Sequence, residues 1–275
     1  MKAEGAEPYP SKRLGQHFLR DRRTIQRIIE ALAPKRDETI VEIGPGTGAL
    51  TSALVESADR VVAVEFDRKL APLLEERFGG LGNFKLVMAD ALTADFCAEI
   101  LPAHKARLVA NLPYNISTAI LQRLIAQRAC FEEMVLMLQR EVVERVLAPA
   151  GTSDRGFISV LVEAYCESEK LFDVAPGAFR PPPKVWSSVM RLKFRTQINA
   201  EITDESLLWE VVSAGFAQKR KTILNNLRSA SGRLQELLKR SGGASIVLCN
   251  ANVELRRRAE TLTVEEWEKI VQAIR

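Results

Sequence analysis

The segment Thr39-Ile40-Val41-Glu42-Ile43 runs directly into Gly44-Pro45-Gly46-Thr47-Gly48, and no other stretch constrains the fold as much. A short apolar run of this kind is a buried strand. Glycine at every second position then lets the backbone turn tightly and approach a ligand closely. A helix follows over about 49–57. RVVAVE (60–65) is a second apolar strand, and it ends in an acid. A helix over about 68–77 leads to FKLVMAD (84–90), then ARLVANLPY (106–114), a helix over 117–127 and the strand EMVLMLQ (133–139). Strands alternating with helices at this spacing build parallel βαβ units and a doubly wound sheet. Ligands of such sheets bind outside the carboxyl ends of the strands. Those ends are here the turn 44–48, Glu65, Asp90 and residues 111–114.

Upstream, Asp21 can cap a helix through Ala33, with Ile25, Ile28, Ile29 and Leu32 on one face and Pro34 closing it. Downstream, 157–174 reads as a helix turning into a strand, with the switch point open. AFRPPPKVWSSVMRLKF (178–194) opens with a rigid proline run and continues as an alternating strand, a terminal hairpin for the sheet. TQINAEIT (196–203) reads as a linker, and helices are expected at about 204–217, 220–230, 231–240 and 263–274. The division is therefore a catalytic domain over 1–196 and a basic helical domain over 197–275, as 275 residues comfortably allow.

Charge is distributed unevenly behind a net of only +4. Lys12 to Arg36 holds eight basic residues and two acids, Asp37 to His104 five and twelve, and Phe216 to Arg258 ten and two. Two basic ends around an acidic middle suit a protein that grips a polyanion while holding something cationic or hydroxyl-rich between them. Lys219, Arg220 and Lys221, with Arg256, Arg257 and Arg258, are the candidate phosphate contacts; the bland alternative is a set of solvated helix faces. No apolar run is long enough to span a bilayer, and MKAEGAEPYPSKR lacks an apolar signal core, so a cytoplasmic protein is expected. Cys97, Cys130, Cys166 and Cys249 form no CxxC pair and are expected to be unpaired thiols, with no metal site. With only His17 and His104 available, a histidine-based mechanism has little to work with.

The glycine turn alone leaves the ligand open. Read as GxGxxA through Ala49, with Glu65 about twenty residues on, it fits a dinucleotide site as well as S-adenosylmethionine, and a purely structural turn is a third option. Glu42 and the acidic segment around it would repel a pyrophosphate and suit a sulfonium with an ammonium. Asp90 can accept from the cofactor's adenine amine, although acids after strands are often helix caps.

Asn111-Leu112-Pro113-Tyr114 decides between them. Adenine N6 is a poor nucleophile because its lone pair is delocalised into the ring. The Asn111 amide oxygen and the Leu112 carbonyl can accept its two N–H bonds and favour a pyramidal nitrogen. Pro113 fixes the turn, and Tyr114 offers a face to a flipped base.

With these residues in view the chain resembles the KsgA/RsmA ribosomal RNA adenine dimethyltransferases over nearly its full length. The matching segments are KRLGQHFL (12–19), VEIGPGTGALT (41–51), Glu65, Asp90-Ala91, NLPYNIST (111–118), AFRPPPKVWSSV (178–189), FAQKRKTILNN (216–226) and RAETLT (258–263). The resemblance implies a Rossmann-like class I methyltransferase with a mostly parallel seven-stranded sheet and a small helical domain. It implies dimethylation, from S-adenosylmethionine, of two adjacent adenosines in a hairpin loop near the 3′ end of small-subunit rRNA. The expected partners are that rRNA and the assembling small subunit, with naked rRNA or subunit left open as the substrate and a monomer expected by default. The resemblance further implies that Gln16, His17 and Leu19 close over the cofactor, that Glu42, Gly44, Gly46, Glu65, Asp90, Ala91 and Asn111 complete its site, and that Phe179 sandwiches the target base against Tyr114. His17 stands where the family often has asparagine. The rivals are a large-subunit rRNA methyltransferase of the antibiotic-resistance type, an assembly factor acting by occupancy, and, more remotely, an NAD oxidoreductase.

Overall fold

The structure is a computed structural model that describes residues 10–11, 14–196 and 204–274. Lys12 and Arg13 of the first family segment, and all but the first residue of the expected linker 196–203, lie outside the described residues. Along the chain run β1 (Phe18–Leu19), α1 (Arg22–Leu32), β2 (Thr39–Ile43), α2 (Thr51–Ser57), β3 (Arg60–Glu65), α3 (Ala71–Phe78), β4 (Phe84–Met88), α4 (Phe96–Glu99), β5 (Ala106–Asn111), α5 (Ser117–Ala126) and β6 (Phe131–Gln139). Then follow α6 (Arg140–Val146), α7 (Phe157–Tyr165), β7 (Cys166–Val174), β8 (Phe179–Arg180), β9 (Ser187–Phe194), α8 (Glu205–Gly215), α9 (Ile223–Arg228), α10 (Gly232–Arg240), α11 (Ala244–Asn250) and α12 (Val264–Gln272).

Seven strands form one sheet in the order β4-β3-β2-β5-β6-β9-β7. The pairs from β4 to β6 are parallel, and β9 runs antiparallel to β6. Every residue of β2 is buried, which is why TIVEI lacks a polar face: a central parallel strand is covered on both sides. The end of the sheet away from the strand carboxyl termini is tied by charge. Arg107 on β5 bonds Glu38 at 3.1 Å, Glu133 on β6 at 2.8 Å and the terminal carbonyls of α1 at Leu32 and Ala33. A cation there also complements the helix dipole. The opposite end is left for chemistry.

By packing, the chain divides into two compact units, 1–143 with 169–194 and 144–168 with 195–275. A single boundary at 196 therefore needs correction, since α7 packs on α8 and α12 and belongs with the helices. The helical unit closes around Trp267, which is fully buried and 5.8 Å from Phe216. Trp209 donates to the Tyr165 hydroxyl at 3.1 Å. The switch within 157–174 falls between Tyr165 and Cys166.

The expectation of four unpaired thiols is also corrected. Cys97 and Cys130 are joined in a disulfide with their Cα atoms 5.2 Å apart. Gln127 brings them together, accepting from Phe96 N at 2.8 Å and donating to Ala94 O at 2.9 Å. Cys166 is a buried thiol and Cys249 an exposed one.

Candidate active site

Strand order brings the ends of β2, β3, β4 and β5 to one edge, and the site is assembled there. After β2 the backbone turns through Gly44 and Gly46 with φ of 69° and 58°, a region that favours glycine. A Cβ on Gly46 would also lie 3.0 Å from the Phe18 ring. Glu65, at the end of β3, anchors this turn. Its carboxylate accepts from Gly46 N at 3.3 Å, Phe66 N at 2.9 Å and Asp67 N at 2.8 Å. Burial raises its pKa, and the three backbone bonds pull against that shift. Asp90 after β4 fulfils the bland expectation by capping its own turn, with Oδ1 on Leu92 N at 2.9 Å, and it also lines the cavity.

A strap of residues 14–18 forms the other wall. Gln16 donates to Asp67 at 3.1 Å, which ties the strap to the loop after β3. His17 makes three contacts. Its carbonyl accepts from Asn111 Nδ2 at 3.1 Å, its Nδ1 lies 2.7 Å from the Pro181 carbonyl, and its ring stacks on Tyr114 at 5.6 Å and 26°. A carbonyl can only accept, so Nδ1 carries the hydrogen and Nε2 is the remaining polar atom. The same reasoning fixes Asn111. Its amide nitrogen faces the His17 carbonyl, so Oδ1 is the atom left to accept from a ligand.

The NLPY turn follows. Leu112 N donates to Met137 O of β6 at 3.1 Å, which holds this peptide against the sheet. Tyr114 is half-buried, with its hydroxyl 2.7 Å from Ser187 Oγ. Burial raises the phenol's pKa, and the Ser187 contact opposes it.

The cavity enclosed between turn and strap measures about 270 Å³. Gln16, His17, Gly44, Gly46, Glu65, Asp90, Ala91, Asn111, Leu112, Pro113 and Tyr114 all line it. Its charged lining is Glu65 and Asp90, with no lysine or arginine among the described residues. That composition disfavours a pyrophosphate and suits a ligand bearing a sulfonium and an ammonium.

Three expected residues lie elsewhere. Leu19 and Phe179 pair across β1 and β8 and sit in the hydrophobic core, 5% and 4% exposed. Phe179 is not among the residues lining this cavity, and the ring stacked on Tyr114 is His17. Glu42 does not line this cavity; it borders a smaller one of about 30 Å³ that shares His17, Phe18 and Asn111 with it, and is buried against Thr51, whose hydroxyl donates to it at 2.6 Å. Conversely, Phe66, Asp67, Pro181 and Ser187 were not singled out in the sequence. Phe66, 55% exposed on the cavity rim, left a legible trace as an aromatic directly after a strand-ending acid.

In the helical unit, Lys219, Arg220, Lys221, Arg256 and Arg258 are exposed. The two clusters adjoin, because Ile223 N donates to Arg257 O at 2.8 Å. Arg257 itself departs from the expected set. Its guanidinium is held by both oxygens of Glu266 and by Thr261, which makes it a structural clamp.

A family model described as ribosomal RNA adenine dimethylase matches residues 10–272. The chain is 43% identical over 256 residues to a protein of Nitrosococcus oceani named ribosomal RNA small subunit methyltransferase A, covering 93% of this chain and 92% of that one. Its fold matches the crystal structure of a dimethyladenosine transferase from Plasmodium falciparum, with TM-score 0.76 and 25% identity over 92% of this chain and 96% of the other. It also matches the 23S rRNA methyltransferase ErmE, with TM-score 0.64 and 27% identity over 94% and 99%.

Glu42 yields a test of the site's electrostatics. Burial pushes its carboxyl from 4.5 up to about 7, with the Thr51 bond opposing and the nearby Glu65 charge reinforcing the shift. A folded pKa raised above the unfolded one means stability is fully present below 4.5 and is lost as pH climbs through 7. Glu42→Gln removes that titration. Urea unfolding at about pH 5 and about pH 8 should show the wild type losing up to roughly 3 kcal/mol more than the variant across this interval. Identical pH dependence in both proteins would contradict the burial assigned to Glu42.

Proposed function

The chain belongs to the ribosomal RNA adenine dimethylase family, and from that premise we propose that it methylates N6 of two adjacent adenosines in a hairpin loop near the 3′ end of small-subunit rRNA. The methyl donor is S-adenosylmethionine, the product is N6,N6-dimethyladenosine, and the setting is the assembling small ribosomal subunit. The observation that carries this reading is Asn111, whose amide nitrogen is committed to His17 and whose oxygen is left as an acceptor on the wall of an acid-lined cavity.

S-adenosylmethionine supplies an electrophilic methyl on a sulfonium. Glu65, already braced by three N–H groups, receives the ribose hydroxyls of that ligand, and Asp90 accepts from its adenine amine. Gly44 and Gly46 allow close backbone approach, while Gln16 and His17 close the strap. Ala91 packs beside the adenine. Glu42 and Leu19 act from behind the wall, shaping the turn and the strap. Toward the target base, Asn111 Oδ1 and the Leu112 carbonyl accept the N6 hydrogens, which localises the lone pair on nitrogen. Pro113 fixes the peptide that presents that carbonyl, and Tyr114 offers its ring to the base. In-line transfer depends on alignment more than on acid–base help, in keeping with a site whose one imidazole is engaged in packing. The proton shed after transfer can leave to water.

Identity favours the small-subunit substrate, at 43% to the Nitrosococcus oceani protein against 27% to ErmE. An intact NLPY turn favours catalysis over occupancy alone. We take the monomer as the acting form. We place its action in the cytoplasm, where subunits assemble; the Cys97–Cys130 pair is the feature that pulls against a reducing compartment.

Asn111→Ala should lower methyl transfer by about 10²–10³-fold while the thermal unfolding transition persists, since its acceptor matters most as the transition state forms. Turnover near that of the wild type, measured with saturating S-adenosylmethionine, would remove Asn111 from the mechanism.

The basic surface is tested by salt. Neutralising Lys219, Arg220 and Lys221 together should flatten the log–log dependence of RNA affinity on salt by about 2, and neutralising Arg256 with Arg258 by about 1.4, at roughly 0.7 per single-strand phosphate contact. Arg257→Ala should instead lower stability through loss of the Glu266 clamp. Unchanged slopes in both neutralised proteins would leave the helical unit without a role in RNA binding.

A further inference from the structure

The loop from Pro181 to Ser187 is pinned at both ends to rings that line the cavity. At one end the Pro181 carbonyl accepts from His17, and at the other Ser187 holds the Tyr114 hydroxyl. The residues between are thereby held along the cavity's edge. They include Lys184, Val185 and Trp186, all exposed, with Val185 and Trp186 at 37% and 45%. Two apolar side chains stand side by side in water beside residues that contact the site.

The charges beside them identify its chemistry. The Arg140 guanidinium lies 6.0 Å from the centre of the Trp186 ring, and Arg140 N donates to Trp186 O at 2.9 Å. Arg180 and Lys184 are exposed on the same loop and on the strand leading into it. An exposed aromatic flanked by cations is the arrangement that takes single-stranded nucleic acid, with bases stacked on the ring and phosphates tracking the charge. The three prolines that open the loop stiffen it, so little conformational freedom is lost on binding.

We propose that Trp186, supported by Val185 and Lys184, is the platform on which a nucleotide neighbouring the target adenosine stacks while the target base occupies the Tyr114 pocket. This rests on the RNA-methylating function proposed above. It adds a specificity element outside the methyl-transfer site, one that recognises an unpaired base by its face and fixes how the loop enters. Trp186 contacts substrate without touching the reacting atoms. Its loss therefore raises KM for RNA and leaves kcat nearly unchanged.

The test uses the full chain and small ribosomal subunits that lack the modification. Trp186→Ala should raise KM for subunits by about tenfold or more, the range of one base–aromatic stack. Trp186→Phe, which keeps a ring, should recover most of that loss. A hairpin RNA with two adjacent adenosines in its loop should quench tryptophan emission in the wild type. Trp186→Phe should lose that quenching, because the other two tryptophans are the fully buried Trp267 and Trp209, which is engaged with Tyr165. An unchanged KM in Trp186→Ala, or equal losses in the alanine and phenylalanine variants, overturns the platform while leaving the methylating function intact. A wild-type dimer in sedimentation that Trp186→Ala dissolves assigns the surface to a second copy, and also overturns it. A wild type that methylates no rRNA in these subunits sinks the proposed function and the platform together.

Discussion

The hydrogen bond from Asn111 to the carbonyl of His17 joins the two halves of the site. Without it the strap of residues 14–18 would be held by Gln16, the contacts of the His17 ring and the short β1–β8 pairing. With it, one amide closes a wall of the cavity and is itself oriented, because a carbonyl partner fixes which end is nitrogen and leaves Oδ1 as its acceptor. The His17 ring extends the same junction to the proline loop and to Tyr114. Three stretches distant in sequence thus share one small hub, and none of its contacts uses a charge.

Charge is instead kept behind and around the hub. Glu65 is desolvated yet held by three backbone donors, so the acid and the turn it braces position one another. Glu42 sits deeper, with a single hydroxyl for company, and burial drives it toward its neutral form. The cavity is walled by Glu65, Asp90 and apolar residues, the reverse of a phosphate cradle. Cations lie on the proline loop, at Arg180 and Lys184, outside the cavity's lining, where a polyanion can meet them.

The centre of the fold was legible because parallel central strands must be apolar throughout. TIVEI and RVVAVE begin and end where their patterns do, and Asp21 caps α1 as its position suggests. Legibility failed where tertiary contacts decide. The helix-to-strand switch at Tyr165 has no local marker, since Tyr165 and Cys166 are both buried and both apolar in pattern. α11 was missed because ASIVLCN is short and reads equally well as a strand. Among site residues, the cavity-facing side of the turn and the NLPY segment follow from topology. Phe179, Leu19 and Glu42 belong to matching segments yet turn inward, and a linear pattern does not say which way a side chain points. Arg257 looked identical to its neighbours, and only the Glu266 carboxylate nine residues on distinguishes it. The Cys97–Cys130 approach depends on Gln127 and left no spacing signal.

The most direct measurement is made on the RNA itself. Small subunits from a strain lacking this gene would be incubated with the purified protein and S-adenosylmethionine, then digested and mapped by mass spectrometry. N6,N6-dimethyladenosine at two adjacent positions near the 3′ end of the small-subunit RNA is the expected result. Its absence from those subunits, or a mark placed on large-subunit RNA in a parallel reaction, would contradict the function assigned to this site.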